Sequence, residues 1–423
     1  MSVIRRIVRL GQLPIPVRQY LLITANYWAF TLTDGALRML VVLHFHTLGY
    51  SALQIALLFL FYEFFGVVTN LVGGWLGARI GLNRTMNLGL GLQLVALAML
   101  LLPPVWLTVP WVMAAQAISG IAKDLNKMSA KSAIKTLVIN PDNREGRLYH
   151  WVALLTGSKN ALKGIGFFLG AALLTVLGFT SAILVMLSGL TLVWLVSLFS
   201  LRSGLGQAKL RPKFRDIFSK SRAVNILSAA RLCLFAARDI WFVVALPVYL
   251  STQFGWSYWL VGSFLALWVI GYGLVQTQAP RLTGRINTHS HTHGESFNPG
   301  AQAVYWAGML ACIPAGIALM LQLNFASEIG LSIGLLCFGA VFALNSSLHS
   351  YLIVSYADQD GVSMDVGFYY MANAMGRLLG TVLSGWVFQQ WGLVACLWIS
   401  SMLLCVTTLI SIGLNNKNTE LNK

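Results

Sequence analysis

The side chains in this 423-residue chain with the types and spacing to do chemistry are concentrated between Lys123 and Lys163, in the segment KDLNKMSAKSAIKTLVINPDNREGRLYHWVALLTGSKNALKG. Lysines stand at 123, 127, 131 and 135, and again at 159 and 163, every step being four residues. That spacing keeps side chains on neighbouring turns of one helix face. Two antiparallel helices joined by a turn around Pro141 to Arg147 would point these ammonium groups at one another, and the expected occupant of such a place is an anion.

Depth sharpens the expectation. If the first helix ends near Val138 and the second begins near Tyr149, Lys127 and Lys159 both lie ~15 Å below the helix ends, and Lys123 and Lys163 ~21 Å. This is the middle of an apolar layer about 30 Å thick. A lysine there costs about 2.5–3.5 kcal/mol, so the four must face a bundle interior or a wet cavity. Lys131 and Lys135, nearer the helix end, are expected to snorkel to the interface.

The surroundings of this segment are those of a chain embedded in a lipid bilayer. Of the 423 residues, 57% are hydrophobic and 10% charged, against about 25% charged in soluble domains. In a soluble protein the formal net charge of +16 would point to nucleic acid; here the distribution of charge excludes that partner. Cys233, Cys312, Cys337, Cys396 and Cys405 all fall in apolar segments, with neither a disulfide framework nor metal-ligand spacing. No nucleophile–base arrangement is present, so neither an enzyme nor a cofactor is expected. The N-terminal arginines are not followed by a short apolar core with a cleavage site, and no removable signal is expected.

Apolar stretches long enough to span occur at roughly 20–44, 53–77, 86–107, 110–138, 149–177, 180–201, 223–250, 257–279, 301–323, 329–356, 365–390 and 393–413. The expected fold is therefore an all-α membrane protein of twelve transmembrane helices. On one side the connections carry Arg5, Arg6, Arg9 and Arg18, Arg79 and Arg84, Arg144 and Arg147, the basic run from Arg202 to Arg222, Arg281 and Arg285, and Lys417 and Lys423; those on the other side carry no basic residue. The positive-inside rule puts the basic side, with both termini, in the cytoplasm, and so predicts a multi-pass membrane protein.

The basic linker at 202–222 divides the chain into a bundle of six helices at 1–201 and another at 223–423. The halves echo each other. Asp34 is followed by Gly49-Tyr50-Ser51, and Asp239 by Gly255-Trp256-Ser257; Asn160 with Gly164, Gly166 and Gly170 echoes Asn373 with Gly376 and Gly380. Two related six-helix halves joined by a linker are the plan of parallel-repeat secondary transporters, which hold substrate at mid-depth between them.

Ten basic residues are embedded: Arg38, Lys123, Lys127, Lys131, Lys135, Lys159, Lys163, Arg231, Arg238 and Arg377. They face five acidic ones, Asp34, Glu63, Asp124, Asp239 and Asp365. Internal pairing cannot neutralise them all, and the surplus asks for a polyanion with phosphate-like groups. Arg38, Lys123, Lys127, Lys159, Asn160, Lys163, Arg231, Arg238 and Arg377 are the candidate binding residues. Asp34 with Arg38, and Arg238 with Asp239, are candidate structural ion pairs, and Asp124 compensates Lys127. Glu63 has no local basic partner; it either carries a proton or pairs across helices. Asp34, Glu63 and Asp239 are thus candidates for coupling or gating. Asn26, Tyr27, Asn70, Asn345, Tyr369 and Tyr370 are polar enough to line a cavity. Closely spaced glycines such as Gly166 and Gly170 read as helix-packing sites, and His289, His291 and His293 read as part of a solvated loop.

Gly74-Trp75-Leu76-Gly77-Ala78-Arg79-Ile80-Gly81 through Arg84 resembles the signature loop between helices 2 and 3 of the major facilitator superfamily. That resemblance implies a gating role for Arg79 and Arg84. Ala78 stands where the pattern has an aspartate, and Leu82 and Asn83 where basic residues are common, so the charge latch of that loop is missing its acid. The stretches NYWAFTLTDGALRMLVVLHFHTLGY, FLFYEFFGVVTNLVGGWLGARIGLNRTMNLGLGLQ and SGIAKDLNKMSAKSAIK resemble the bacterial organoarsenical efflux permeases of arsenic-resistance operons. This likeness, which covers nearly the whole chain, implies export of 1-arseno-3-phosphoglycerate. A glyceraldehyde-3-phosphate dehydrogenase makes that compound from arsenate, and it falls apart outside the cell, so the implied outcome is arsenate resistance. Two alternatives stay open on the residues themselves: an exchanger of organophosphates for phosphate, or another organic-anion carrier, and a non-transporting membrane scaffold or sensor.

Overall fold

The computed structural model describes residues 15–49, 58–137, 144–201, 205–208, 221–283, 298–323, 325 and 328–414, and every regular element among them is helical. Helices α1 (Ile15–Thr47), α2 (Leu60–Ile80), α3 (Leu82–Met99) and α4 (Val109–Leu137) open the chain. The run Arg144–Ser200 breaks at Gly178 into α5 (144–177) and α6 (179–200). Helix α7 (Arg222–Phe242) resumes after a two-residue step as Ala245–Gln253. Then follow α8 (Tyr258–Leu282), α9 (Pro299–Gln322) and α10 (Glu328–Tyr356). The last run, Val362–Ile412, breaks at Gly392 into α11 (362–391) and α12 (393–412). The expected twelve helices are present among the described residues. Six of the runs, which contain α5 to α12, are long and apolar enough to cross a membrane by length and composition; helices suit that solvent because they satisfy their own backbone.

At both breaks a single glycine in the left-handed region, φ 75° in each case, turns the chain back on itself. The reversal at Gly178 follows from the partners of α1. Tyr20 packs on Trp151 and Trp28 donates to Ser158, so α5 runs parallel to α1; Gln19 donates to Ser200 and His44 stacks on Phe179, so α6 runs antiparallel. The second half repeats this. Gly376 meets Leu232 and Gly380 meets Ala236, so α11 is parallel to α7, whereas Ser400 donates to Ala237 and Gly413 lies on Ile226, so α12 is antiparallel.

The internal echo can now be placed residue by residue. Gly166 and Gly170 seat α5 on Leu32 and Ala36 of α1, just as Gly376 and Gly380 seat α11 on Leu232 and Ala236 of α7. A Cβ on Gly166 would lie 2.7 Å from the Leu32 carbonyl oxygen, and one on Gly380 2.8 Å from that of Ala236. The polar residues do not follow. In the register that matches Ala36 with Ala236, Asp34 corresponds to Leu234, so Asp239 sits more than a helical turn further along. Asn160 is likewise displaced from Asn373. Packing requires small residues at the same places in both halves; the charges are specialised in each.

Replacing Gly376 by valine is expected to lower thermal stability in detergent, by about 1–3 kcal/mol if the core yields as packed cores do. Gly385→Val, whose added Cβ meets nothing within 4 Å, is the control and is expected to leave the unfolding temperature unchanged.

The face of the bundle at which α1 begins also carries the turn between α2 and α3. There the Leu82 amide donates to the Leu205 carbonyl at 2.8 Å and the Ala208 amide to the Ala78 carbonyl at 2.8 Å. Backbone of 205–208, at the entrance to the linker, thus holds the turn at the position where the aspartate is missing. Residues 1–14, 202–204 and 209–220 of the linker, His289, His291 and His293, and Lys417 and Lys423 lie outside the described residues.

Candidate functional site

The lysine helices meet the second half around an aromatic and ionic cluster at mid-depth. Lys123 is fourteen residues from either end of α4, which is ~21 Å at helical rise. Its Nζ sits 3.8 Å from the centre of the Tyr62 ring and 4.0 Å from Asp124 Oδ2. Lys127 Nζ donates to Asp124 Oδ1 at 2.6 Å and lies over the Tyr370 ring at 4.8 Å. The expected Asp124–Lys127 compensation is formed.

Lys159 and Lys163 of α5 differ. Lys159 donates to Asn160 Oδ1 at 3.2 Å and Lys163 faces the Phe167 ring at 6.0 Å. Neither forms an ion pair with a carboxylate of the described residues. Both are half-buried, and Lys163 lies within electrostatic reach of Arg38, Asp34, Lys159 and Arg377. Cations over ring faces gain ~0.5–2 kcal/mol, which lowers the cost of holding ammonium groups here without consuming their charge.

From Lys159 a hydrogen-bonded chain crosses between the halves. Asn160 Nδ2 donates to Gln276 Oε1 at 2.6 Å, Gln276 Nε2 to the Tyr272 hydroxyl at 2.8 Å, and that hydroxyl to Ser346 Oγ at 3.1 Å. Ser346 Oγ also accepts from Arg231 at 3.1 Å, and Arg231 Nε donates to Asn373 Oδ1 at 2.9 Å. Arg231 is buried at 3% exposure and stacked 4.1 Å from the Phe235 ring. Its hydrogen-bond partners are neutral acceptors, so no carboxylate pairs with its charge.

A second line of charges joins α1, α2, α7 and α11. Glu63 Oε1 accepts from Arg38 Nη2 at 3.2 Å and from Arg377 Nη2 at 2.9 Å. Arg377 Nε reaches Asp239 Oδ2 at 3.3 Å, and Asp239 Oδ1 takes Arg238 Nη2 at 2.5 Å. The pairing expected between Arg238 and Asp239 is present. That between Asp34 and Arg38 is not: Arg38 turns to Glu63, and Asp34 accepts twice from the Tyr62 hydroxyl, at 2.7 and 2.9 Å. A carboxylate four residues away on the same face loses here to one that a neighbouring helix brings closer. Side-chain exposures of 13% for Lys127, 16% for Lys123, 25% for Arg38 and Glu63 and 29% for Arg377 show that the cluster is not fully sealed by protein.

Toward the face where α1 begins, the halves are in contact. Lys131, 4% exposed, donates to Thr156 at 3.0 Å and to the Tyr370 hydroxyl of α11 at 2.5 Å. Lys135 donates to the carbonyls of Ser355, at 3.0 Å, and Ala357, capping the end of α10. The expected snorkelling is therefore not what these two lysines do: cross-half acceptors within reach are better partners than the interface. Around them Ser363 donates to the Gly74 carbonyl at 2.7 Å, Gly157 packs on Gly273 and Thr277, and Tyr149 packs on Tyr351. All these contacts lie between the ionic cluster and that face, so the two halves are closed together on that side. Arg79 and Arg84 are exposed at the same face. Arg79 lies over Trp75 at 5.1 Å, and neither joins the central cluster.

Lys135→Met removes the α10 cap, worth about 1.5–3 kcal/mol per bond to a charged donor. With spin labels at positions 84 and 281, one in each half, a longer inter-label distance is expected to appear in the variant and to be minor in the parent.

Of the sequence candidates, the structure gathers Arg38, Glu63, Lys123, Lys127, Lys159, Asn160, Lys163, Arg231, Arg238, Asp239, Arg377 and Asp34 into one mid-depth cluster. Tyr62, Tyr272, Gln276 and Ser346 were not singled out by sequence reasoning for this site. For Tyr272 and Gln276 the available signal was their spacing of four on α8.

The family model described as Major Facilitator Superfamily matches residues 20–381. Among solved structures, the human organic anion transporter MFSD10 (TETRAN) superposes with TM-score 0.75 at 16% identity, covering 94% of this chain and 100% of that one. A variant of the E. coli fucose:proton symporter FucP gives 0.71 at 11% identity, covering 95% and 99%. A bacterial homologue of the iron transporter ferroportin, in an outward-facing state, gives 0.69 at 15%, covering 95% and 99%. No curated protein matches.

Proposed function

The chain belongs to the major facilitator superfamily, a family of membrane transporters, and from that premise we propose that it exports a small organic anion with two phosphate-like ends. The substrate is 1-arseno-3-phosphoglycerate, carried by alternating access out of the cytoplasm across a bacterial inner membrane, with arsenate resistance as the outcome. Lys123, Lys127, Lys159 and Lys163, with Asn160, take one oxyanion end, and Arg38 and Arg377, backed by Arg231 and Arg238, take the other. The face where α1 begins is cytoplasmic, so the arrangement described here is the one closed to the cytoplasm. Asp34, Glu63 and Asp239 gate the site, and Arg79 and Arg84 act at the cytoplasmic rim. The two bundles, 1–201 and 223–423, rock about it with 202–222 as their tether.

The observation that carries this proposal is that the Lys159 and Lys163 ammonium groups, half-buried at mid-depth, form no ion pair with a carboxylate of the described residues. Such charge is costly unless a ligand uses it. An inside-negative potential favours anion export by about 2.3 kcal/mol per charge per 100 mV, so no coupling ion is required. A glyceraldehyde-3-phosphate dehydrogenase supplies the substrate.

The test is uptake of arsenic into everted vesicles. Arsenate together with the dehydrogenase, glyceraldehyde 3-phosphate and NAD is expected to be accumulated, and arsenate alone is not. Equal uptake in the two arms removes the organoarsenical as substrate, and counterflow with inorganic phosphate would instead establish an organophosphate exchanger.

A further inference from the structure

We propose that Glu63 is a built-in occupant of one anion position, and that it makes the site select anions with two charged ends over anions with one. The inference rests on the anion-binding role proposed above and specifies how that site discriminates.

The four acids of the cluster are not held alike. Asp34 is buried and accepts both bonds from the Tyr62 hydroxyl; Asp124 is buried against Lys127; Asp239 is buried between Arg238 and Arg377. Glu63 is a quarter exposed and its two arginine partners come from different halves, α1 and α11. One of its oxygens lies between two guanidinium groups, 3.2 Å from one and 2.9 Å from the other. That is the place a phosphate or arsenate oxygen would take, since guanidinium forks favour such oxyanions. Lys123 and Lys163 also lie within electrostatic reach of the carboxylate, so the same position adjoins the lysines intended for the other end of the ligand.

It follows that a ligand must displace Glu63 to use Arg38 and Arg377. An anion with a single charged end exchanges one carboxylate for another oxyanion and gains little. An anion with two ends also engages Lys159, which forms no ion pair with a carboxylate of the described residues, and that second contact supplies the preference. When Glu63 leaves Arg377 it also undoes the ion pair that joins the halves at this depth. Occupancy by a two-ended anion and release of the two halves are then a single event.

The experiment measures binding of 3-phosphoglycerate, with two charged ends, and inorganic phosphate, with one, to the purified full-length protein in detergent by calorimetry. The parent is expected to prefer 3-phosphoglycerate by at least a hundredfold. In Glu63→Gln, phosphate affinity is expected to rise tenfold or more while 3-phosphoglycerate changes less, so the preference collapses. Glu63→Asp, which keeps the charge but shortens its reach, is expected to fall between the two and decides the matter if the glutamine variant does not fold. Phosphate affinity that is unchanged or lower in the variants, with 3-phosphoglycerate still bound, overturns the role of Glu63 and leaves the anion site standing. Binding of neither probe by any of the three proteins overturns the anion site itself, and this inference with it.

Discussion

Lys159→Met is expected to weaken export by about tenfold to hundredfold and, at the same time, to raise the unfolding temperature. An ammonium group at mid-depth costs about 2.5–3.5 kcal/mol, and the hydrogen bond to Asn160, 3.2 Å long, offsets only part of that. Removing the charge relieves the resting protein. Removing it also takes away a charge-assisted contact with the ligand, about 1.5–3 kcal/mol or some tenfold to hundredfold in affinity. Lys127→Met should lower export as well but with the opposite sign in stability. It strands Asp124, 1% exposed, with only Lys123 at 4.0 Å, and an uncompensated buried charge is strongly destabilising. Vesicle uptake and thermal unfolding measured on the same preparations check both. A Lys159→Met protein that transports normally, or that is destabilised as much as Lys127→Met, would remove Lys159 from the binding site.

Gly157→Leu is expected to stop export almost completely without unfolding the protein. An added Cβ there would lie 2.6 Å from Thr277 Cγ2 and 2.7 Å from the Thr277 nitrogen, and would press on the Gly273 carbonyl. Two of these obstacles are backbone and cannot turn away. The contact joins α5 to α8 across the halves, so the side chain bars the arrangement described here while leaving each half intact. The carrier should then rest open toward the face where α1 begins. Spin labels at positions 84 and 281 should report the longer separation in nearly all molecules, beyond the partial shift expected of Lys135→Met. An unchanged distance distribution would mean that α5 and α8 part by another route.

The contrast between these two variants mirrors what the sequence made legible. Helix positions were readable because apolar runs and the intervening turns are local, and Gly178 and Gly392 fall within a residue of the boundaries drawn from composition. The lysine face was readable because spacing of four is local too. The partner of Glu63 was not: spacing along α2 carries no information about Arg377, which is 314 residues away. For the same reason Lys131 and Lys135, near a helix end, suggested snorkelling until the acceptors on α10 and α11 came into view. The echo of Asp34 in Asp239 misled in the opposite way. Similar residues recur in both halves, but only the glycines that set helix contact recur at the same height.

The one-residue reversals at Gly178 and Gly392 bear on how the chain is made. A turn this short leaves no slack between α5 and α6, or between α11 and α12, so neither member of a pair can settle in the lipid while the other waits. Each pair should leave the translocation machinery as a joined hairpin, and lengthening the turn with a flexible insert should let the two helices of a pair be integrated one after the other.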